Sequence, residues 1–365
     1  MRKPNKPEIR VLCLTPDIRS IGGIGNYFRC LYPRFTLPVE LMITGKRPGQ
    51  TGLLQNIKRF LGDYLCFYQK LSASSIVLIN TSMRLKSVLR DMLFIHLAQS
   101  RQRKTVVFIH GWDWSFVNKM QTLAPGFIRL ALLKTQTVIV LASEFESALY
   151  QWGFKGKVYR LSTFVDDAGL ADWHEQHIRK RADTAGLRIL FMARLAPGKG
   201  LFPALDAVKQ LQRSHPEVHL DVAGIGPQLQ AAQKHAQTRA VPARFHGFVQ
   251  GENKTRLMQK ADVLLLPTTY GEGMPTAVLE GMAFGCAVVT CPVGGIKDFF
   301  QHGKMGFLCE NPQPEIICGT LKQLADDPSL RIRMGLFNFY FAKQHFTAAR
   351  VLKRLESVLR QTDAI

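Results

Sequence analysis

No stretch of the chain approaches the ~18 or more uncharged apolar residues that a membrane-spanning helix needs. Met1 to Ile9 are charged and contain proline, unlike a secretory signal, so the protein is expected to stay in the cytoplasm where it is made. The sequence has no Cys-x-x-Cys pair and no Cys/His cluster of zinc spacing. Its 7 cysteines, an odd number scattered from Cys13 to Cys318, read as reduced thiols rather than a disulfide framework. No Asp-x-Asp pair is present to anchor a divalent ion. Two glycine turns follow strand candidates, but neither has the Gly-x-Gly-x-x-Gly spacing of a dinucleotide site, which argues against a nicotinamide-dependent oxidoreductase. Lys199 precedes Gly200 rather than Ser or Thr, which excludes a Walker loop. Nothing repeats at a short period.

The 365 residues are too many for one ordinary core and suggest two α/β domains of roughly 150 to 200 residues each. Short β-branched runs alternate with amphipathic stretches, the pattern of βα units feeding parallel sheets. The strand candidates are Val11 to Leu14, Glu40 to Ile43, Ile76 to Ile79, Thr105 to Ile109 and Val138 to Leu141, then Arg188 to Met192, His219 to Ala223, Val263 to Leu266 and Ala287 to Thr290. The polar segment Asp167 to Gly186 lacks apolar periodicity and reads as a linker. The expected organisation is therefore a first doubly wound domain over residues 1–166, a linker over 167–186, a second domain over 187–335, and a long terminal helix within 336–365. Such sheets bind ligands at the carboxyl ends of their strands, and two of them facing each other would make a cleft.

Candidate chemistry sits at those strand ends. After Val263 to Leu266 comes Gly271, Glu272, Gly273, Met274, Pro275, Thr276, with Glu280 eight residues beyond Glu272. Pro275 suits the first position of a helix, whose free N–H groups and dipole favour an anion, while carboxylates beside phosphates are better aimed at sugar or ribose hydroxyls. After Arg188 to Met192, Arg194 and Lys199 lie on a Gly/Pro loop and could neutralise a diphosphate without a metal. Gly22 and Gly23 follow the first strand, and Gly224 follows His219 to Ala223. Either turn would allow close approach of backbone to a ligand. His110 ends a strand, a place where a histidine can serve a site or simply the core. Each of these segments also has an ordinary structural reading when taken alone.

Together they resemble the retaining glycosyltransferases of family 4, which adopt the GT-B fold. The resemblance is carried by FMARLAPGKG, DVAGIGP, FHGFV, ADVLLLPTTYGEGMPTAVLEGMAFG and VVTCPVGGIKDFF, in that order, and more weakly by IGGIGNYF, FIHGWDW and VIVLASEFE. It implies two Rossmann-like doubly wound domains facing across a cleft, a nucleotide-sugar donor, a glycan or lipid-linked acceptor, and no cofactor. It further implies that Arg194 and Lys199 bind the donor diphosphate and that Glu280 holds the ribose. Glu272 would stand at the donor sugar with backbone groups of Gly273 and Met274, Gly23 near the phosphates, and His110 at the sugar. Two departures from the family pattern fall near the expected cleft: Thr163, Phe164, Val165, Asp166 in place of Asn-Gly-Val-Asp, and Trp112 and Trp114 after His110. A nucleotide-sugar epimerase or phosphorylase of the same architecture is the near alternative.

The formal charge of +21 is uneven: residues 1–180 carry 26 Lys and Arg against 12 Asp and Glu. Such a field attracts polyanions, yet no nucleic-acid module or aromatic-basic interleaving is present, so no nucleic-acid partner is expected. Gln55 to Lys70 places Ile57, Phe60, Leu61, Tyr64, Leu65 and Tyr68 at helical spacing, and Arg84 to Lys104 repeats the theme with Leu89, Met92, Leu93 and Leu97. These faces either pack on the domain core or touch an anionic membrane at its inner face.

Overall fold

The computed structural model describes residues 9–19, 22–45, 47, 52–123, 126, 132, 135–181 and 186–364. The chain divides into two compact units. One runs to Ser162 and takes back the chain from Ala349, and the other is Thr163–Ala348.

The first unit is built on six parallel strands, β1 (Val11–Thr15), β2 (Val39–Ile43), β3 (Ile76–Met83), β4 (Lys104–Trp112), β5 (Thr137–Val140) and β6 (Lys157–Arg160), in the order β2-β1-β3-β4-β5-β6. The second repeats the design with β7 (Arg188–Met192), β8 (His219–Ala223), β9 (Ala243–Gly247), β10 (Val263–Leu266), β11 (Ala287–Thr290) and β12 (Gly306–Leu308), ordered β12-β11-β10-β7-β8-β9. The central strands are apolar runs buried along their length, as parallel sheets covered on both faces require. Strand order reverses between β1 and β3 in the first unit and between β7 and β10 in the second. In a doubly wound sheet a crevice opens at such a reversal, outside the carboxyl ends of the strands. The helices used below are α1 (Gly23–Leu31), α2 (Leu53–Leu71) and α3 (Leu85–Ser100) of the first unit.

The segment read as a linker is part of the second unit. Residues Asp167–Leu170 form a 3-10 turn capped by Asp166, and Glu175–Lys180 is helical. Trp173 is buried and donates from Nε1 to Phe284 O at 3.2 Å. The buried Arg181 guanidinium donates to the carbonyls of Ala261 (2.6 Å) and Phe284 (2.5 Å). These side chains satisfy main-chain acceptors at loop ends instead of presenting an apolar stripe, which is why the stretch shows no periodicity. Residues 182–185 lie outside the described residues.

The terminal helix is likewise two helices, Pro328–His345 and Ala348–Asp363, broken where Phe346 is buried and Thr347 bridges to Val165. The second of them packs in the first unit, where Glu356 accepts from the backbone N–H and the hydroxyl of Thr36, both at 2.5 Å.

Candidate functional site

In the second unit the reversal between β7 and β10 brings two loops together. The loop after β7 is held from one side by main-chain bonds to the loop after β8: Ala193 N–H donates to Ala223 O (3.1 Å) and Leu195 N–H to Ile225 O (3.0 Å). Leu195 is fully buried, so Arg194 projects from a backbone fixed on either side of it. Gly224 is what permits this approach, since a Cβ there, at φ +147°, would lie 1.9 Å from Ala193 O. Loop packing by itself therefore requires glycine at 224.

On the other side, Gly198 O accepts the N–H groups of Thr269 (2.8 Å) and Tyr270 (3.1 Å), clamping the β7 loop to the β10 loop. Lys199 then lies over the Tyr270 ring, 4.6 Å from its centroid, and its ammonium pairs with the Glu272 carboxylate. Burial, and secondarily the Arg194 guanidinium, push the Lys199 ammonium down to about 8. The Arg194 side chain is exposed, and its guanidinium makes no ion pair or hydrogen bond among the described residues. The Glu272 segment is pinned from beneath by the glycine turn of VVTCPVGGIKDFF, to which the sequence reading assigned no role: Gly295 N–H donates to Gly273 O (2.8 Å), and Gly294 adopts φ +49° where a Cβ would stand 2.1 Å from Glu272 O.

The run ends in the helix Thr276–Ala283, with Pro275 as its N-cap rather than its first residue. No acidic residue and no capping side chain occupies its first turn, so its leading N–H groups stay available to an anion. Met274 is buried beneath, its carbonyl accepting the Thr163 hydroxyl at 3.3 Å. Glu280 is 9% exposed and accepts from Lys254 Nζ at 2.6 Å. It faces a cavity of about 410 Å³ between the Asp166–Trp173 segment and the helix Gly251–Lys260. Lys254 had no signal in the sequence beyond its charge.

The first unit holds the remaining candidates. Gly22 caps α1 in extended backbone, and a Cβ on Gly22 or Gly23 would meet nothing within 4 Å. Among the described residues nothing requires glycine there, which suits a surface kept open for a ligand. His110 donates from Nε2 to Asn80 Oδ1 (2.9 Å), because Asn80 Nδ2 is committed to Leu14 O (2.9 Å). That amide fixes the tautomer and leaves Nδ1 as an acceptor. Burial pushes His110 down to about 3, so the ring is neutral and suited to accept a hydroxyl rather than to shuttle protons. Asn80 went unremarked in the sequence because its partners come from other strands. Trp112, one of the departures from the family pattern near the expected cleft, is a core residue: 2% exposed and stacked on Phe145 (4.6 Å between centroids) and Trp152 (5.4 Å).

Among the described residues no group of three or more His, Cys, Asp or Glu could hold a metal ion, and no helix is long and apolar enough to cross a membrane. The arrangement in the second unit is thus an exposed guanidinium, a half-buried ammonium and an open helix end, with carboxylates at two separate points.

The family model for glycosyl transferases group 1 matches residues 174–336. A glycogen synthase of Mycobacterium tuberculosis is 30% identical over 154 residues, 41% of this chain and 36% of that protein. A putative colanic acid biosynthesis glycosyltransferase, WcaL of Escherichia coli, is 32% identical over 136 residues, 35% of this chain and 33% of its own length. The chain thus aligns with about a third of the length of each relative. Among solved structures, Anabaena HepE in complex with UDP superposes with a TM-score of 0.75 at 16% identity, covering 97% of this chain and 100% of that one. The two Rossmann-like units are those of the GT-B fold, and residues 174–336 match the glycosyl transferases group 1 family model.

Proposed function

We propose that the protein is a retaining, metal-independent glycosyltransferase of the family 4 type. It takes a sugar from a UDP- or GDP-sugar and passes it to a hydroxyl of a glycan or lipid-linked acceptor, in cell-surface polysaccharide or lipopolysaccharide synthesis on the cytoplasmic side. The observation that carries this reading is the convergence of Arg194, Lys199 and the open Thr276–Ala283 helix end at the reversal between β7 and β10. Fixed positive charge at that point suits a leaving diphosphate, and oriented charge of this kind is commonly the largest contribution to catalysis. The relatives named for polysaccharide synthesis and the UDP held by HepE support the substrate class.

In the proposed reaction the bond between the anomeric carbon and the diphosphate oxygen breaks, its electron pair going to the leaving phosphate. The acceptor hydroxyl forms the new bond on the same face, and its proton passes to the departing phosphate oxygen. Arg194 grips phosphate oxygens in a bidentate fork, Lys199 adds a point charge, and Glu272 receives sugar hydroxyls. Glu280 accepts ribose hydroxyls alongside Lys254. Gly273, Met274, Pro275 and Thr276 bring backbone to the sugar and phosphates.

A thermal-shift screen across nucleoside diphosphates and their sugars, run in excess chelator, tests the assignment. One donor class should stabilise the protein by mass action, about 2.7 kcal/mol at a hundredfold excess over Kd. A shift that appears only with added divalent ion, or no shift with any donor, would overturn it.

The acidity of Lys199 adds a pH signature. The ammonium binds diphosphate only while protonated, so kcat/KM should fall as pH rises through about 8. The bound diphosphate favours the charged form, so kcat at saturating donor should hold to higher pH. Profiles of the two constants check this, and coincident profiles would remove Lys199 from donor capture.

A further inference from the structure

The face of α2 and α3 in the first unit is more apolar than a solvated surface requires. Leu54 (74% exposed), Leu61 (57%) and Leu65 (66%) form a stripe along α2 with Ile57 and Tyr68. Leu85, Leu89 and Leu93 form a second stripe along α3, all exposed. Tyr64 lies between the two helices, stacked on Phe94 with centroids 4.2 Å apart and donating its hydroxyl to Arg90 O at 2.6 Å. The helices flank a groove of about 810 Å³ lined by Phe60, Tyr64, Leu89 and Leu93. The core-packing alternative therefore holds for Tyr64, Met92 and Leu97, which pack against the core cluster, but not for the leucine stripes.

Charge decides what covers this face. The acids of α2 and α3 are Asp63 and Asp91, both buried and paired, with Arg47 and Arg90. Neither helix shows an acid to solvent. Lys58 and Lys86 are exposed beside the stripes and make no ion pair among the described residues. Arg59 lines both this groove and a second cavity, of about 1210 Å³, on the other flank of α2, where Arg19, Arg47 and Lys70 are already paired with Asp17, Asp63 and Glu40. A second copy of the chain meeting this face would set lysine against lysine with no carboxylate between them. Phosphate headgroups above a hydrocarbon layer supply both the missing counter-charge and the apolar cover.

We infer that α2 and α3 form a docking surface for an anionic lipid bilayer, their leucine stripes entering the interface and Lys58, Arg59 and Lys86 facing headgroup phosphates. The inference rests on the proposed transferase reading only in choosing a lipid-linked acceptor over a free glycan. The surface itself stands on the geometry.

The test is co-sedimentation of the full chain with vesicles of phosphatidylcholine alone and of phosphatidylcholine mixed with phosphatidylglycerol, at low and high salt. The mixed vesicles should retain the protein and release it as salt rises, while the neutral ones bind at least tenfold less. Leu61→Glu with Leu65→Glu should lower binding to mixed vesicles at least tenfold and leave the thermal shift with UDP or GDP unchanged, which separates loss of this surface from failure of the donor assignment. Equal binding to neutral vesicles, no binding at low salt, or a double variant that binds like the parent would overturn the inference. So would a stable dimer in light scattering that the double variant converts to monomer.

Discussion

Replacing Lys199 with alanine should lower turnover at least ~10²-fold, the scale on which one oriented stabilising group is lost from an active site. Lys199 is confined between the Tyr270 ring and Glu272, and the backbone beside it is clamped through Gly198. A group so held undergoes little rearrangement when charge develops on the diphosphate, and its partial burial strengthens the attraction beyond that in water. Arg194 is exposed and fixed only through its backbone, so Arg194→Ala should weaken donor capture but cost less in kcat. Steady-state kinetics with a saturating donor decide the matter. A Lys199→Ala rate within threefold of the parent, taking ~10²-fold as the expected loss, would remove the residue from the chemistry.

Glu272→Gln should move binding and turnover in opposite directions. Without donor, the Glu272 carboxylate occupies the Lys199 ammonium that the diphosphate is proposed to take. Removing that charge frees the lysine and removes a repulsion, so UDP or GDP alone should bind roughly tenfold tighter, measured at mildly acidic pH where Lys199 keeps its proton. Transfer from the nucleotide sugar should nevertheless fall by ~10²-fold, because the sugar hydroxyls lose their ionised acceptor. Calorimetry for the nucleotide and product formation for the sugar read the two arms. A variant that weakens both would mark Glu272 as a support for the loop rather than a ligand to the sugar.

What the sequence disclosed and what it hid follow from where each residue sits. The central strands, such as Val263–Leu266 and Ala287–Thr290, are buried on both faces, and their uninterrupted apolar runs placed them to the residue. The strands that went unrecognised, β6, β9 and β12, all lie at sheet edges, where one side is open or the strand is short. Lys157–Arg160 and Ala243–Gly247 carry charged and half-exposed residues that blur any apolar pattern.

The site residues legible as motifs were those local in the chain: Arg194 with Lys199, and Glu272 through Glu280. Asn80, which acts on His110 from another strand, carries no local signature, and Gly294, although inside a quoted motif, discloses its place beneath Glu272 only on folding, because the partners of both are assembled by the fold. Simple alternation would put Trp112 on the same face as His110, but the register of β4 on β3 skips His110, with Thr81 opposite Ile109 and Ser82 opposite Gly111, so Trp112 joins Val107 and Ile109 in the core and stacks on Phe145 and Trp152. The polar text from 167 to 186 was taken for a linker because side chains that cap carbonyls, such as Arg181, look like solvated ones in a sequence.

The most direct measurement is a structure of the protein with a bound nucleoside diphosphate sugar. The account predicts diphosphate oxygens within hydrogen-bonding distance of the Arg194 guanidinium, the Lys199 ammonium and the leading N–H groups of the Thr276–Ala283 helix, with Lys199 drawn off Glu272. A diphosphate bound elsewhere, or bridged to the protein by a divalent ion, would contradict it.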